Sequence, residues 1–335
     1  MRPAPVATPA ARAHRVLVGV DRSPLAEVCL PYAITVARAL DSELTLVHVM
    51  RPRSGRVAPH NDALGWEISR QEAHLYLERL QAKAAAALGR PAAIRLEQGR
   101  PSERIVELAR ELRSDLIVLA SHGEGGVTAW NLGSTAQHVL AVSHVSVFVA
   151  HADGSVPRDP PDRHVVVALD GSQRAESALP TAARIAHTSG GDVILIHAVQ
   201  ESISTAVLRS VEDLELARTL ASRLEINAKT YLEGLRTALV REGISVRTLV
   251  VRHANPRQCI LEFASHERAG LVVVAAHGAV CDSTRTFGSV TEYLLTHASI
   301  PVLVLQDLAE HDLQASGPGV DRAPPLRASF PPEYA

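Results

Sequence analysis

Two short constellations, each present twice, hold the residue types and spacings that could do chemistry. The first is an acid with a hydroxyl two residues on: Asp21-Arg22-Ser23-Pro24, repeated as Asp170-Gly171-Ser172. The second is Ser121-His122-Gly123, nine residues, then Gly133-Ser134, repeated as Ala276-His277-Gly278, nine residues, Gly288-Ser289. Glycines let main-chain amides approach an oxyanion closely, and a helix that follows presents unpaired N–H groups and the positive end of its dipole. The chemistry is therefore anion binding, and phosphate fits it. A bland use competes, because Ser134 with Gln137 and Ser289 with Glu292 are capping boxes that would occupy the same amides. Ser23 and Ser172 can likewise cap a helix, with Pro24 in its first position. His122 and His277 have no evident nucleophile–carboxylate pairing beside them in sequence, so they read as hydrogen-bonding loop residues. Gly123-Glu124-Gly125-Gly126 is not GxGxxG, and no GK[ST] follows a glycine-rich loop. Neither a dehydrogenase fingerprint nor a Walker loop is supported.

The elements that carry these constellations are written twice. RVLVGVDRSPLAEVCLPYAITVARAL from Arg15 matches HVVVALDGSQRAESALPTAARIAHTS from His164 at a constant offset of 149. Further on the offset is 155, pairing Pro101 with Pro256, His122 with His277 and Gly133 with Gly288. Short apolar runs alternate with longer amphipathic segments, the pattern of a parallel sheet with helices on both faces. Strands are expected at 15–20, 43–49, 92–97, 115–120 and 145–150, then at 164–169, 192–199, 245–251, 270–276 and 300–305. Leu64, Ile68, Leu75, Leu80, Ala84 and Leu88 recur near a period of 3.6 and read as the core stripe of a helix. The expected domains are 14–150 and 163–306, joined by a Pro- and Asp-rich linker at 151–162, with tails at 1–13 and 308–335. An open sheet of this class binds ligands outside the carboxyl ends of its strands, where both constellations fall.

Composition narrows the classes further. At roughly 150 residues per domain, 335 residues suggest two domains. Lys plus Arg total 34 against 36 for Asp plus Glu, which gives no electrostatic reason to expect nucleic acid or anionic lipid as the partner. The longest apolar stretch, Ala269 to Ala276, is far short of the ~20 residues that cross a bilayer. No secretory signal is visible, so a cytoplasmic location is expected. Three cysteines at wide spacing fit neither a disulfide framework nor a zinc site, and Cys29 and Cys259 read as small core residues.

At these residues the sequence resembles the universal stress protein family in its tandem form, over about 14–150 and 163–306. The resemblance is carried by the strand-ending Asp21 and Asp170, by Leu46-Val47-His48-Val49 and Leu195-Ile196-His197-Ala198, and by the glycine motif with its nine-residue spacing. It implies two Rossmann-like α/β domains (adenine nucleotide alpha hydrolase-like), each an open five-stranded parallel sheet in the order 3-2-1-4-5. The domains would pack about a pseudo-twofold axis through their last strands. It also implies ATP, alone or with Mg, as the ligand. Asp21 would hold the adenosine end, Val49 would pack on the base, and Gly123, Gly133 and Ser134 would line the triphosphate beside Ala120. The second repeat offers Asp170, Ala198, Ala275, Gly278, Gly288, Ser289 and Val290. Ala120 and Ala275 stand where the family motif has its first glycine, and Ser146 replaces the usual proline that Pro301 keeps. Glu124 makes the first loop acidic, while the second carries Arg285, partly offset by Asp282, and keeps Gly288-Ser289-Val290, which favours the second repeat as the better site. No metal or catalytic residue is expected.

The function this implies is a nucleotide-responsive regulator of the stress response, not a turnover enzyme, although slow ATP hydrolysis is compatible with it. A homodimer and a regulatory protein partner fit the same reading. The alternative is a nucleotide-independent interaction scaffold of the same fold. A nucleotidyl-transferring enzyme is disfavoured, because Asp21-Arg22-Ser23-Pro24 occupies the place of its His-x-Gly-His signature.

Overall fold

Strands buried on both faces must be apolar throughout, and Val16-Leu17-Val18, Leu116-Ile117-Val118, Val165-Val166-Val167 and Leu271-Val272-Val273 are such runs. In the computed structural model they form the centre of one sheet. The structure describes residues 14–51, 62–122, 132–151, 164–200, 211–279 and 286–306. The expected tails, nearly all of the linker and most of both glycine loops lie outside the described residues.

The first repeat contains β1 (Arg15–Gly19), α1 (Pro24–Glu27), α2 (Cys29–Ala39), β2 (Glu43–Met50), α3 (Asp62–Leu88), β3 (Ala93–Gln98), α4 (Pro101–Glu111), β4 (Leu116–Ala120), α5 (Ser134–Val142) and β5 (Ser146–Ala150). The second contains β6 (Val165–Leu169), α6 (Gln173–Glu176), α7 (Leu179–Ser189), β7 (Val193–Gln200), α8 (Val211–Arg241), β8 (Val246–His253), α9 (Pro256–His266), β9 (Leu271–Ala275), α10 (Ser289–His297) and β10 (Val302–Leu305). All ten expected strands are present, within two residues at each end.

The sheet runs β3-β2-β1-β4-β5-β10-β9-β6-β7-β8. Each half has the expected order, and strand order reverses between β1 and β4 and between β6 and β9. Within each half the strands are parallel, whereas β5 and β10 meet antiparallel, pairing Val149 with Val302 and Val147 with Val304. The halves are thus joined edge to edge, which removes the two edges that separate sheets would expose. Ser146 contributes to this seam: its Oγ accepts from the Gln306 amide at 3.2 Å. A proline at this position would have no such oxygen.

The core crosses the seam as well. One buried cluster contains Ala33 and Val36 of α2 together with Leu179 and Ala182 of α7. On the other face, Leu132, Ala136 and Leu140 of the first repeat pack with Val302 and Val304 of the second. Cys29 and Cys259 are buried as expected, and burial pushes the Cys29 thiol up to about 12.

The expected stripe on α3 needs correction. Leu64, Ile68 and Leu75 are 70%, 51% and 54% exposed, whereas Ala73, Leu77, Leu80 and Ala84 are fully buried. The step of five between Leu75 and Leu80 breaks the helical period, so the six residues span two faces. Only the face of Leu80 and Ala84 is core.

Candidate functional site

Each first strand is followed by an aspartate whose carboxylate organises the turn. Asp21 Oδ1 accepts from Ser23 N at 3.1 Å and Ser23 Oγ at 2.6 Å, and Ser23 Oγ in turn accepts from Ala26 N at 3.0 Å. Asp170, Ser172 and Ala175 repeat the arrangement. Both serines are therefore the helix caps expected.

The second constellation differs from expectation at its helix. The N-cap of α5 is Gly133 and that of α10 is Gly288, so Ser134 and Ser289 are first helical residues rather than caps. The capping boxes are not formed in that register. Gln137 instead donates its side-chain amide to Leu132 O at 3.1 Å. A glycine cap offers no oxygen to the first-turn amides, which stay oriented for an anion. Gly133 is also a close-approach position: its N–H donates to Ser121 O, and a Cβ there would lie 3.3 Å from that oxygen.

These parts meet in a cleft of about 530 Å³ above the β1–β4 reversal. Asp21 follows β1, Val49 is the penultimate residue of β2, Ala120 ends β4, and Gly133 and Ser134 open α5; all five line the cleft. Val49 is buried and Ser134 is exposed, so the lining grades from an apolar floor to a polar rim. Ile105 and Leu119 extend the apolar side. Gly123, the remaining expected residue of this repeat, lies outside the described residues.

Several lining residues were not singled out in the sequence. Arg22 and Arg51 place two cations at the cleft, and Trp66 and Ser69 reach it from α3. Arg22 takes a left-handed φ of 69° and pairs with Glu72 at 3.0 Å. The signal for Arg22 was its place directly after Asp21; the other three are distant in sequence and only the fold collects them.

Three histidines sit near the floor. His48 Nδ1–H donates to Val20 O at 2.9 Å, and its ring meets Tyr76 edge-on. His122 Nδ1 lies 3.2 Å from Ser121 Oγ. His151, directly after β5, is buried with no hydrogen-bond partner for Nε2 among the described residues, and burial beside His122 lowers its pKa to about 4. Its sequence assignment to the linker understates its packing.

In the second repeat, Asp170 Oδ2 accepts from Ala279 N at 2.7 Å, and a Cβ on Gly278 would overlap that carboxylate. Gly278 is therefore required by the approach of Asp170. Ala198 and Val290 are half-buried and pack against the core, Ala275 is buried, and Ser289 is exposed at the start of α10. Of the grounds for preferring this repeat, Gly288-Ser289-Val290 opens α10, and Arg285 lies outside the described residues.

A doubled α/β half with an acid after its first strand and a glycine-capped helix after its fourth belongs to the open-sheet class whose ligand sites lie outside the carboxyl ends of the strands. The family is equally definite. The model of the universal stress protein family matches residues 12–151 and 162–306, and the chain belongs to that family. It is similar to a universal stress protein of Mycobacterium tuberculosis, 28% identical over 299 residues that cover 87% of this chain and 96% of the relative. A second from the same organism is 26% identical over 305 residues, covering 87% and 96%. Among solved structures, a universal stress protein from Archaeoglobus fulgidus shares the fold, with a TM-score of 0.61, 22% identity, and coverage of 88% of this chain and 98% of that one. Among the described residues, no helix is long and apolar enough to cross a membrane.

Proposed function

We propose that the chain binds an adenine nucleotide, ATP first among them, in the cleft of the first repeat, and that occupancy regulates a partner rather than driving turnover. The observation that carries this reading is the convergence of Asp21, Val49, Gly133 and Ser134 on one cleft at the strand-order reversal. The polyphosphate would meet the first-turn amides of α5, the ribose hydroxyls would meet Asp21, and the base would lie toward Val49. Arg22 and Arg51 supply the positive charge that the acidic first loop lacks. Mg, where present, would travel with the phosphates.

A regulatory role follows from how α5 is packed. Its first turn would touch phosphate, while Ala136 and Leu140 share one buried cluster with Val302 and Val304 of β10 in the second repeat. Close-packed interiors transmit small displacements. Binding at one repeat would thus be felt at the seam, where a partner or a second copy of the chain can read it. This reading places the site in the first repeat, opposite to the preference drawn from the sequence.

A second reading, the nucleotide-independent scaffold, is favoured by one observation. Leu216, Leu220 and Leu224 recur every four residues on α8 and are 71%, 55% and 46% exposed, an apolar strip available to a protein partner. Denaturing the purified protein, identifying released small molecules by mass spectrometry and titrating the native chain with ATP by calorimetry separates the two. Released adenine nucleotide, or heat saturating at a defined stoichiometry, supports the first. No nucleotide and no heat at millimolar ATP leaves the scaffold.

A further inference from the structure

One wall of the first-repeat cleft is not explained by the family's motif. Trp66 and Ser69 line it from α3. They continue, in steps of three and four, the row Ala73, Leu77, Leu80 and Ala84, which is fully buried against the sheet. At 1.5 Å per residue the 27-residue α3 is about 40 Å long, against about 26 Å for the 8-residue β2 at 3.3 Å per residue. The helix therefore outruns the strand. The face that packs on the sheet lower down overhangs the strand ends, and there it presents the half-buried Trp66 indole to the cleft.

A brace fixes this overhang. Arg22 adopts the left-handed backbone at φ 69°, which is unfavourable for any residue but glycine, and reaches Glu72 one turn from Ser69. Such outliers mark places where the surrounding structure enforces a geometry. The second repeat keeps the overhang, its 31-residue α8 outrunning the 8-residue β7, but lacks the side chains that furnish it. Tyr76 and Tyr231 are equivalent, each meeting its strand-end histidine edge-on, at 6.3 and 6.2 Å. Counting from them, Ala221, Leu224 and Asn227 stand at the places of Trp66, Ser69 and Glu72, and Gly171 replaces Arg22.

The geometry points to Trp66 as the platform on which a planar base stacks, with Arg22, acting through Glu72, as its positioning residue. This rests on the nucleotide reading of the same cleft and names the residue that would hold the base, the part that bare polyphosphates and sugar phosphates lack. An indole is a flat apolar surface, and Arg22 and Arg51 line the same cleft, which suits a base at one end and phosphates at the other.

The chain has two tryptophans, Trp66 and Trp130, so Trp130→Phe leaves Trp66 as the sole indole. Its fluorescence is expected to be quenched by ATP and by adenosine but not by tripolyphosphate. Trp66→Ala is expected to weaken ATP binding by about tenfold or more in calorimetry, with Trp66→Phe recovering most of it. Arg22→Gly is expected to reduce both the ATP affinity and the Trp66 response while the melting temperature holds. Unchanged ATP affinity in Trp66→Ala overturns the proposal, as does a Trp66 emission indifferent to ATP in protein that calorimetry shows to be saturated. Both outcomes leave the nucleotide reading standing. No heat with ATP in the unaltered chain overturns both, and equal quenching by tripolyphosphate overturns stacking. If Trp66→Ala does not fold, the sole-tryptophan titration still decides.

Discussion

The two repeats share a backbone plan and differ in what surrounds it. Both have the aspartate turn, the serine cap, the glycine-capped helix and the strand-end histidine against a tyrosine. Only the first adds Arg22, Arg51, Trp66, Ser69 and Ser121; the second has Gly171, Gln200, Ala221, Leu224 and Ala276 in their places. Main-chain geometry and buried packing are duplicated, while the side chains near the strand ends differ. The shared part specifies the fold, and the proposal of a first-repeat site rests on the part that differs.

That comparison can be broken first at the core, where the repeats are expected to behave alike. Leu77 and Leu232 are equivalent and fully buried, so Leu77→Ala and Leu232→Ala should each cost about 3 kcal/mol in urea denaturation. A large cost at one and a negligible cost at the other would mean that the cores are not equivalent.

The next effect is specific to the first repeat. His151 is neutral when folded, with its pKa lowered to about 4 from an ordinary 6.5. Between these values the unfolded chain binds the extra proton, so stability is fully present above pH 6.5 and falls as pH drops toward 4. The loss is on the order of 3 kcal/mol. His151→Gln, which installs the residue found at Gln306, should flatten this part of the pH–stability curve. An unaltered curve would show that His151 is not the source.

The smallest effect concerns the backbone at the aspartate turns. Gly171 has φ 84° and Arg22 φ 69°. Gly171→Ala should lower stability by about 1 kcal/mol. Arg22→Gly should change it by less than about 1 kcal/mol, because relief of the left-handed strain offsets the loss of an exposed ion pair. A stability loss of several kcal/mol in Arg22→Gly would assign Arg22 a structural role instead.

Much of this was legible in the sequence because the determinants are local. Continuous apolar runs mark strands covered on both faces, and the 149 offset fixes the repeat. Asp21, Gly133 and Ser134 stand at strand and helix ends, where the fold class itself places ligands. Position in a stripe was less legible: Leu64 and Ile68 match a helical period, but period alone does not tell which face meets the sheet or where the sheet stops beneath the helix. Trp66 and Ser69 were missed for the same reason, since their role depends on α3 outrunning β2. The capping boxes failed by one residue, because a glycine preceding each serine takes the cap when its backbone must pass close to the β4 or β9 loop. His151 gave no signal because its burial comes from elements far away in sequence.

Calorimetric titration of ATP into Gly133→Val and Gly288→Val tests the central claim most directly, since each places a branched side chain at one glycine-capped helix. Retained binding in Gly288→Val with binding lost in Gly133→Val is the result expected if the first-repeat cleft holds the nucleotide. Binding lost in Gly288→Val and retained in Gly133→Val would contradict it.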